Sequence, residues 1–191
     1  MPTKPGLRTH ATGWSRLVSS LVGREAVNEA VATRVRFDGR PEEVWAHIMF
    51  YEEVPGRPAF LLRTLLPYPV RAEGDKTHVG ETVRCAYRGG DLAKRITASE
   101  PPHLLRFEVI EQRLGIERCI LTLGGSYHIQ ASADASEVVL ITDYQAFLRP
   151  RYLWRPLEAL LVKQLHLHIL RGITAAVARR KPAVDPAVAE S

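Results

Sequence analysis

The sequence predicts an α+β domain in which about seven antiparallel strands are followed by one long carboxy-terminal helix. Segments between Val31 and Leu148 alternate apolar and polar residues with a period of two, which is typical of half-buried strands. Glycine and proline pairs separate these segments at the short spacing expected of an antiparallel sheet. After Pro156, apolar residues recur every three or four positions, as they do on one face of a helix.

Length and composition bound the class of protein. The chain has 191 residues, of which 46% are hydrophobic and 25% charged, and a net charge of +5. This is typical of one soluble domain, and two cysteines, Cys85 and Cys119, are too few for a disulfide framework or a zinc site of four cysteines. Without an apolar stretch of roughly 20 residues or a secretory signal, we expect a cytoplasmic protein. Its cations are interleaved with acids, so we expect no nucleic-acid partner.

The pattern divides the chain into three parts. Residues 1–30 form an amino-terminal extension, in which Trp14, Leu17, Val18, Leu21 and Val22 recur at the spacing of a short amphipathic helix. Residues 31–180 form the folded domain. Residues 181–191 are rich in Ala, Pro and Val without a period, which predicts a loose tail.

The domain begins with a strand and two short helices. The alternation from Val31 to Phe37 predicts the first strand. Pro41 suits the first turn of a helix, and the acidic pair Glu42-Glu43 favours a helix start. Four prolines interrupt the region from Glu53 to Pro69, which predicts a broken second helix that leads into a strand.

The strands after Gly80 follow one another as a meander. Gly89-Gly90 predicts a hairpin turn, and the return strand covers 92–99. Gly124-Gly125 in the middle of a later strand predicts a bulge or bend, and Glu137 to Leu148 is the last predicted strand.

The carboxy-terminal helix carries an apolar stripe formed by Leu157, Leu160, Leu161, Leu165 and Ile169. At about 100° per residue, Gln164 and His168 fall on that stripe, whereas His166 falls on the opposite side. Polar groups on the core-facing side of a long helix are candidates for function.

Three arginines, Arg149, Arg151 and Arg155, lie at the start of this helix, where the helix dipole disfavours cations. They could attract an external anion such as a phosphate, a carboxylate or the headgroups of an anionic membrane. Alternatively they are a solvated surface, and Leu153 and Trp154 fix the approach of the chain to the helix.

The order of elements resembles the START/SRPBCC helix-grip superfamily over residues 31–180. The resemblance is carried by the opening strand with its Pro41-Glu42-Glu43-Val44-Trp45 turn and by the strand start Gly80-Glu81-Thr82-Val83. The hairpin Ala98-Ser99-Glu100-Pro101-Pro102, followed by Leu104-Leu105-Arg106-Phe107, adds to it. These are signatures of architecture and not of catalysis.

The resemblance implies an antiparallel sheet curled around the long helix, with a cavity between them for an apolar ligand. The superfamily includes lipid-transfer proteins, polyketide cyclases and aromatases, and hormone receptors. A hydrophobic small molecule is therefore the expected partner, and neither a cofactor nor a metal is expected.

Two residues are catalytic candidates. His168 could act as a general acid or base or orient a ligand carbonyl, or it could be a buried histidine satisfied by its neighbours. Glu111 shares strand parity with Phe107 and Val109, which places its carboxylate inward if the strand stays regular, or in solvent if the strand has ended.

Phenol, amide and apolar side chains complete the predicted ligand contacts. The full predicted set is Tyr87, Phe107, Glu111, Tyr127, Tyr144, Leu161, Gln164 and His168. Cys85 alternates with charged residues, which predicts an inward position and the role of a small hydrophobe.

Two main hypotheses follow. The first is a non-catalytic protein that carries or sequesters a lipid, isoprenoid or polyketide-like molecule. The second is a cofactor-independent cyclase, aromatase or dehydratase, in which His168 with Glu111 or a tyrosine moves protons. A third, a module that binds a partner through the Trp14–Val22 segment, concerns only the extension. The sequence does not define the oligomeric state.

Overall fold

The computed structural model describes residues 22–49, 67–74, 76–132 and 135–180. Within them, seven strands form one antiparallel sheet, and two helices accompany it. The strands are β1 (Val22–Phe37), β2 (Pro69–Glu73), β3 (Thr82–Tyr87), β4 (Gly90–Glu100), β5 (Leu104–Arg113), β6 (Ile120–Ser132) and β7 (Ala135–Leu148), and the helices are α1 (Pro41–Met49) and α2 (Arg151–Arg180). The α+β class, the antiparallel sheet and the long carboxy-terminal helix are confirmed.

The sheet order is β1-β7-β6-β5-β4-β3-β2, so the meander returns β7 to the side of β1. Side chains from β2, at one edge, and from β7, next to the other edge, line one continuous space beside α2. The sheet therefore curves round the helix.

The first strand is longer than the alternation predicts, since it begins at Val22 and not at Val31. It pairs with β7 from Val22, opposite Leu148, to Phe37, opposite Ser136, with an irregularity between Val22 and Val27. The register is regular from Val27, but at the parity of Val31 and Thr33 this end of the strand carries the exposed Val27 and the charged Glu29, so the apolar alternation is recognisable only from Val31. The helix predicted over Trp14 to Val22 lies outside the described residues, except for Val22, which belongs to the strand.

Helix α1 begins at Pro41, as predicted. The backbone N–H of Arg40 donates to the Glu43 carboxylate at 3.2 Å, which satisfies one of the free donors of the first turn. Val44, Ile48 and Met49 are its buried residues, and they pack into the main core. The broken second helix was predicted between Glu53 and Pro69, and residues 53–66 of that segment lie outside the described residues; the strand that it was expected to lead into is β2.

Two glycine sites shape the sheet. The β3–β4 turn passes through Gly89, whose φ of 105° is unfavourable for other residues. In β6, a Cβ on Gly124 would lie 2.5 Å from the carbonyl oxygen of Phe107, so only glycine lets the two strands approach this closely. The register of β6 against β7 shifts between Thr122 and Gly124, which confirms the predicted bulge.

The start of α2 is fixed to β1 by charge. The guanidinium of Arg151 donates to both carboxylate oxygens of Glu158, at 2.8 and 2.7 Å, and to Glu29 on β1 at 3.1 Å. Arg155 also pairs with Glu29, and Arg149 donates to the carbonyl of Glu25 at 2.7 Å. Each of these arginines therefore has an oxygen partner within the protein, although the side chain of Arg155 is 69% exposed. Neither alternative from the sequence, an external anion or a solvated surface, included the partners on β1, because these are distant in sequence.

Candidate functional site

A cavity with two chambers lies between the inner face of the sheet and helix α2. Each chamber has a cavity volume of about 80 Å³, which is several times the volume that one water molecule needs. Among the described residues, five border both chambers, namely Tyr87, Lys94, Phe107, Tyr127 and Ile169. The chambers are therefore two lobes of one site divided by these side chains.

The first chamber lies between β2, β3, β4 and the carboxy-terminal half of α2. Its wall is mostly apolar and includes Val83, Cys85, Ile96 and Ile173. Cys85 is buried and faces inward, as its alternation with charged residues predicts. Arg71 and Lys76 also border this chamber.

The second chamber lies between β5, β6, β7 and the middle of α2. Apolar residues again dominate its wall, with Leu140, Val162 and Leu165 among them. The polar exceptions include Thr142, Tyr144 and His166. Both chambers thus have the mostly apolar lining with few polar groups that is typical of small-molecule sites.

An aromatic group with one cation forms the border between the chambers. The rings of Phe107 and Tyr127 have centroids 6.4 Å apart and are tilted by 44°. The ammonium of Lys94 lies 4.4 Å from the centre of the Phe107 ring, within the range of a cation–π contact. Lys94 is half-buried on β4, opposite Val83 on β3 and Val109 on β5.

The phenols of the cavity stay protonated at neutral pH. Burial, together with the neighbouring Cys85, raises the pKa of both Tyr87 and Tyr127 above the ordinary range. Burial, followed by the charges of Glu158 and Glu29, raises the pKa of Tyr144 to about 12. These hydroxyls therefore act as neutral hydrogen-bond donors and acceptors and not as bases.

His166 joins α2 to the sheet at the wall of the second chamber. It is 1% exposed, and its two ring nitrogens lie 2.8 Å from Thr142 Oγ1 on β7 and 2.9 Å from Thr33 Oγ1 on β1. Burial, assisted by the charge of Lys94, lowers the pKa of His166 to about 4. The imidazole is therefore neutral at pH 7, with both nitrogens engaged by hydroxyls.

The structure divides the predicted ligand contacts into two groups. Tyr87, Phe107, Tyr127 and Tyr144 line the cavity. A second group does not border either chamber, and it consists of Glu111, Leu161, Gln164 and His168.

The sequence prediction for the face of α2 is wrong by about a quarter turn. His168, expected inward, lies outside the cavity, 6.3 Å from the Tyr68 ring in an edge-on contact, with no hydrogen-bond partner at Nε2. His166, expected outward, borders the cavity. The stripe of leucines predicts the wrong inward face because Leu160 is exposed, whereas the polar Glu158 is buried in an ion pair with Arg151.

Glu111 is displaced by a register shift. Val109 lies opposite Lys94 and Glu111 opposite Ala93, so Ile110 is an extra residue on β5. One inserted residue reverses the face of every later side chain. Glu111 consequently lies on the outer face of the sheet, in ion pairs with Arg113 and Arg84.

Sequence analysis missed Lys94 and misplaced His166. A signal for Lys94 was available, because it lies between Leu92 and Ile96 at the same parity of one strand, and both of those residues are buried. A lysine at an inward position of an apolar strand marks a site. No comparable signal exists for His166, whose threonine partners are distant in sequence.

Two surveys of the described residues complete the site. No group of three or more histidine, cysteine, aspartate and glutamate side chains in these parts of the chain could hold a metal ion. Neither described helix is long and apolar enough to cross a membrane.

Comparisons with known proteins show the fold. No protein-family model and no curated protein matches the chain. TTHA0849 from Thermus thermophilus is similar in structure, with a TM-score of 0.58 and 16% identity over 80% of this chain and 99% of that one. The Zhui aromatase/cyclase from Streptomyces sp. R1128 has a TM-score of 0.59 and 16% identity, over 82% and 98%.

A third similar structure is a point mutant of norcoclaurine synthase from Thalictrum flavum in complex with a transition state analogue. Its TM-score is 0.56 at 16% identity, over 82% of this chain and 98% of that one. At such low identity the likeness is one of fold, and it confirms the resemblance that the sequence predicts at that level.

Proposed function

We propose that this chain, which has the fold of the START/SRPBCC superfamily, binds a hydrophobic or amphipathic small molecule in its cavity, as a carrier or sequestering protein. One observation carries the proposal: the inner wall of the sheet and α2 enclose two apolar chambers that share an aromatic border. Such a concave apolar site with a few polar groups is the usual form of a small-molecule pocket.

The polar groups of the cavity favour binding over proton transfer. His166 has both nitrogens engaged and is neutral at pH 7, so it is a poor general acid at that pH. Among the described lining residues there is no aspartate or glutamate to act as its partner. Lys94 and the tyrosines can orient the polar end of a ligand without any chemical step.

The test is native mass spectrometry of the protein purified from its own host, followed by organic extraction of anything that co-purifies. We expect a retained apolar or amphipathic molecule, released when the protein is unfolded. If the protein is empty, a thermal-shift screen of apolar ligands replaces extraction, because a ligand that binds the native state raises the melting temperature by mass action. A protein that neither retains nor binds any of them would refute the proposal.

The second candidate function is a cofactor-independent cyclase, aromatase or dehydratase. It is favoured by the convergence of Lys94, Tyr87 and Tyr127 at the border of the chambers, and by the fold shared with an aromatase/cyclase and with norcoclaurine synthase. Turnover of a polyketide-like substrate that is lost in Lys94→Met and Tyr127→Phe, but kept in His168→Ala, would support it. Binding without turnover would leave the carrier hypothesis.

Peripheral contact with an anionic membrane, in the cytoplasm, remains part of the proposal. Tyr152 and Leu153 are 83% and 57% exposed at the start of α2, beside the exposed Arg155. Apolar and cationic side chains at one surface suit a membrane interface. The double variant Leu153→Ser/Arg155→Ala should co-sediment with anionic vesicles less than the wild type does. Unchanged co-sedimentation would refute the proposed membrane contact.

A further inference from the structure

We infer that the ligand carries a carboxylate, and that Lys94 binds this group at the border between the two chambers. The inference rests on the proposed function, since it specifies the chemistry of the molecule that the cavity takes.

The described wall of the cavity is positive. Three cationic residues border the chambers, namely Arg71, Lys76 and Lys94, and none of the described lining residues is an aspartate or glutamate. The guanidinium of Arg71 is exposed and pairs with Glu73 at 3.1 Å. The ammonium of Lys76 donates to the carbonyl of Ile48 at 3.4 Å. Lys94 is thus the lysine that borders both chambers without an ion pair to a described residue.

The position of Lys94 is unusual for a lysine. Its strand neighbours Leu92 and Ile96 are buried at the same parity, and it lies opposite Val83 and Val109. A charge removed from water needs an opposite charge or strong hydrogen bonds. The Phe107 ring at 4.4 Å supplies part of this stabilisation through a cation–π contact. An anionic ligand group would supply the rest.

Two neutral hydrogen-bond donors border the chambers together with Lys94. Tyr87 and Tyr127 border both chambers with Lys94, and neither hydroxyl has a hydrogen bond within the described residues. A carboxylate accepts hydrogen bonds only, so one ammonium and two phenols match its requirements. A carboxylate also carries one negative charge, which matches the one ammonium of Lys94, whereas a phosphate monoester carries close to two.

The remaining apolar wall would hold the hydrocarbon part of the ligand. Phe107 and Ile169 border both chambers, so a molecule whose acid group lies at Lys94 can extend its apolar part into either chamber. An amphipathic acid is therefore the class of ligand that this arrangement fits.

The experiment compares three matched pairs of probes, each a carboxylic acid and its primary amide: 2-naphthoic acid, decanoic acid and a decalin carboxylic acid. Calorimetry measures their dissociation constants for the wild type, for Lys94→Met and for Lys163→Met. The last variant removes an exposed lysine of α2 as a matched control. Charge-assisted hydrogen bonds are about twice as strong as neutral ones, so we expect the wild type to prefer at least one acid over its amide by about tenfold.

Lys94→Met should remove that preference while changing the affinity for the amide less than about twofold, and Lys163→Met should leave both unchanged. Lys94→Arg, which keeps the charge, should retain a preference for the acid. If acids and amides bind the wild type equally well, the inference is overturned but cavity binding stands. If no probe of any pair binds, the proposed function itself loses support together with the inference. If Lys94→Met does not fold, the preference of the wild type still tests the carboxylate, and the ratio of acid to amide affinity in Lys94→Arg tests whether position 94 binds it.

Discussion

His166 stabilises the fold only while it is neutral. Its ring lies between hydroxyls of β1 and β7, so that helix α2 is held to the sheet by two hydrogen bonds in a buried place. Protonation there would put a charge beside the cation of Lys94 with no carboxylate among the described lining residues. The residue therefore couples the stability of the helix–sheet contact to pH.

The first prediction is that the wild type loses stability as the pH falls from 6.5 to 4. The unfolded chain binds the proton of His166 with a pKa near 6.5, whereas burial lowers the pKa in the folded chain to about 4. The unfolded state therefore binds more protons in this window, and stability is complete above it and declines below. The loss from this residue should approach about 3 kcal/mol at pH 4.

Carboxylates also titrate at low pH, so the control is His166→Gln, which keeps hydrogen-bonding groups without the titration. Urea unfolding of both proteins from pH 7 to pH 4 gives the difference. The variant should be less stable at pH 7 and should show the shallower decline. Parallel declines in the two proteins would contradict the assignment.

Some residues could be placed from the sequence and others could not. Tyr87 lies on the regular strand β3 and Tyr127 on the regular part of β6 that follows its bulge, and both line the cavity as expected. Glu111 follows an inserted Ile110, and no local pattern reveals such an insertion, because it depends on the pairing with β4. A site that depends on strand parity is therefore predictable only within a stretch of strand that contains no bulge.

At the scale of elements, a network of ion pairs, and not an apolar contact, fixes the start of helix α2 to the sheet. Glu158 is 2% exposed and receives two hydrogen bonds from Arg151, which also reaches Glu29 on β1. The fork of a guanidinium suits two carboxylates at once. Burial leaves Glu158 dependent on this one partner.

The second prediction is that Arg151→Met destabilises the protein by about 3 kcal/mol, because removal of one member of a buried ion pair leaves the other charge uncompensated. Arg155→Met is the matched control, since the side chain of Arg155 is 69% exposed and pairs with Glu29 through its Nε atom. Its loss should change stability by less than about 1 kcal/mol. Chemical unfolding at pH 7 measures the free energy of unfolding of both variants. Equal losses in the two variants would contradict the dependence of Glu158 on Arg151.

The same network explains why the sequence predicts the element but not its orientation. The 3.6-residue period is a local signal and locates helix α2, but the helix begins at Arg151, so Pro156 lies inside it and not in its first turn, where the sequence placed it. The face that turns inward depends on where buried polar side chains can form hydrogen bonds. Glu158 pairs with Arg151 on α2 itself, whereas His166 bonds to hydroxyls on β1 and β7. A stripe of leucines that includes the exposed Leu160 therefore gives the wrong rotation.

At the scale of the whole molecule, the cavity follows from the topology. The sheet is open, with β1 and β2 at its edges, and α2 lies across its inner face, so side chains of both the sheet and the helix border the space between them. The elements and their order could be predicted because they depend on local patterns. The shape of the cavity could not, since it depends on the rotation of α2 and on the register shifts of β4, β5 and β6.

The third prediction concerns this shared space. Ile169 on α2 borders both chambers, so Ile169→Trp should fill the site and abolish the binding of every ligand that the wild type takes, whether acidic or neutral. Overpacking commonly costs about 1–3 kcal/mol, but empty volume at this position should reduce that cost. Leu160→Trp is the control, because Leu160 is exposed on the outer face of the same helix. Thermal shift with and without ligand measures both effects: the ligand should raise the melting temperature of the wild type and of Leu160→Trp, but not that of Ile169→Trp. A folded Ile169→Trp protein that still responds to the ligand would place the binding site outside this cavity.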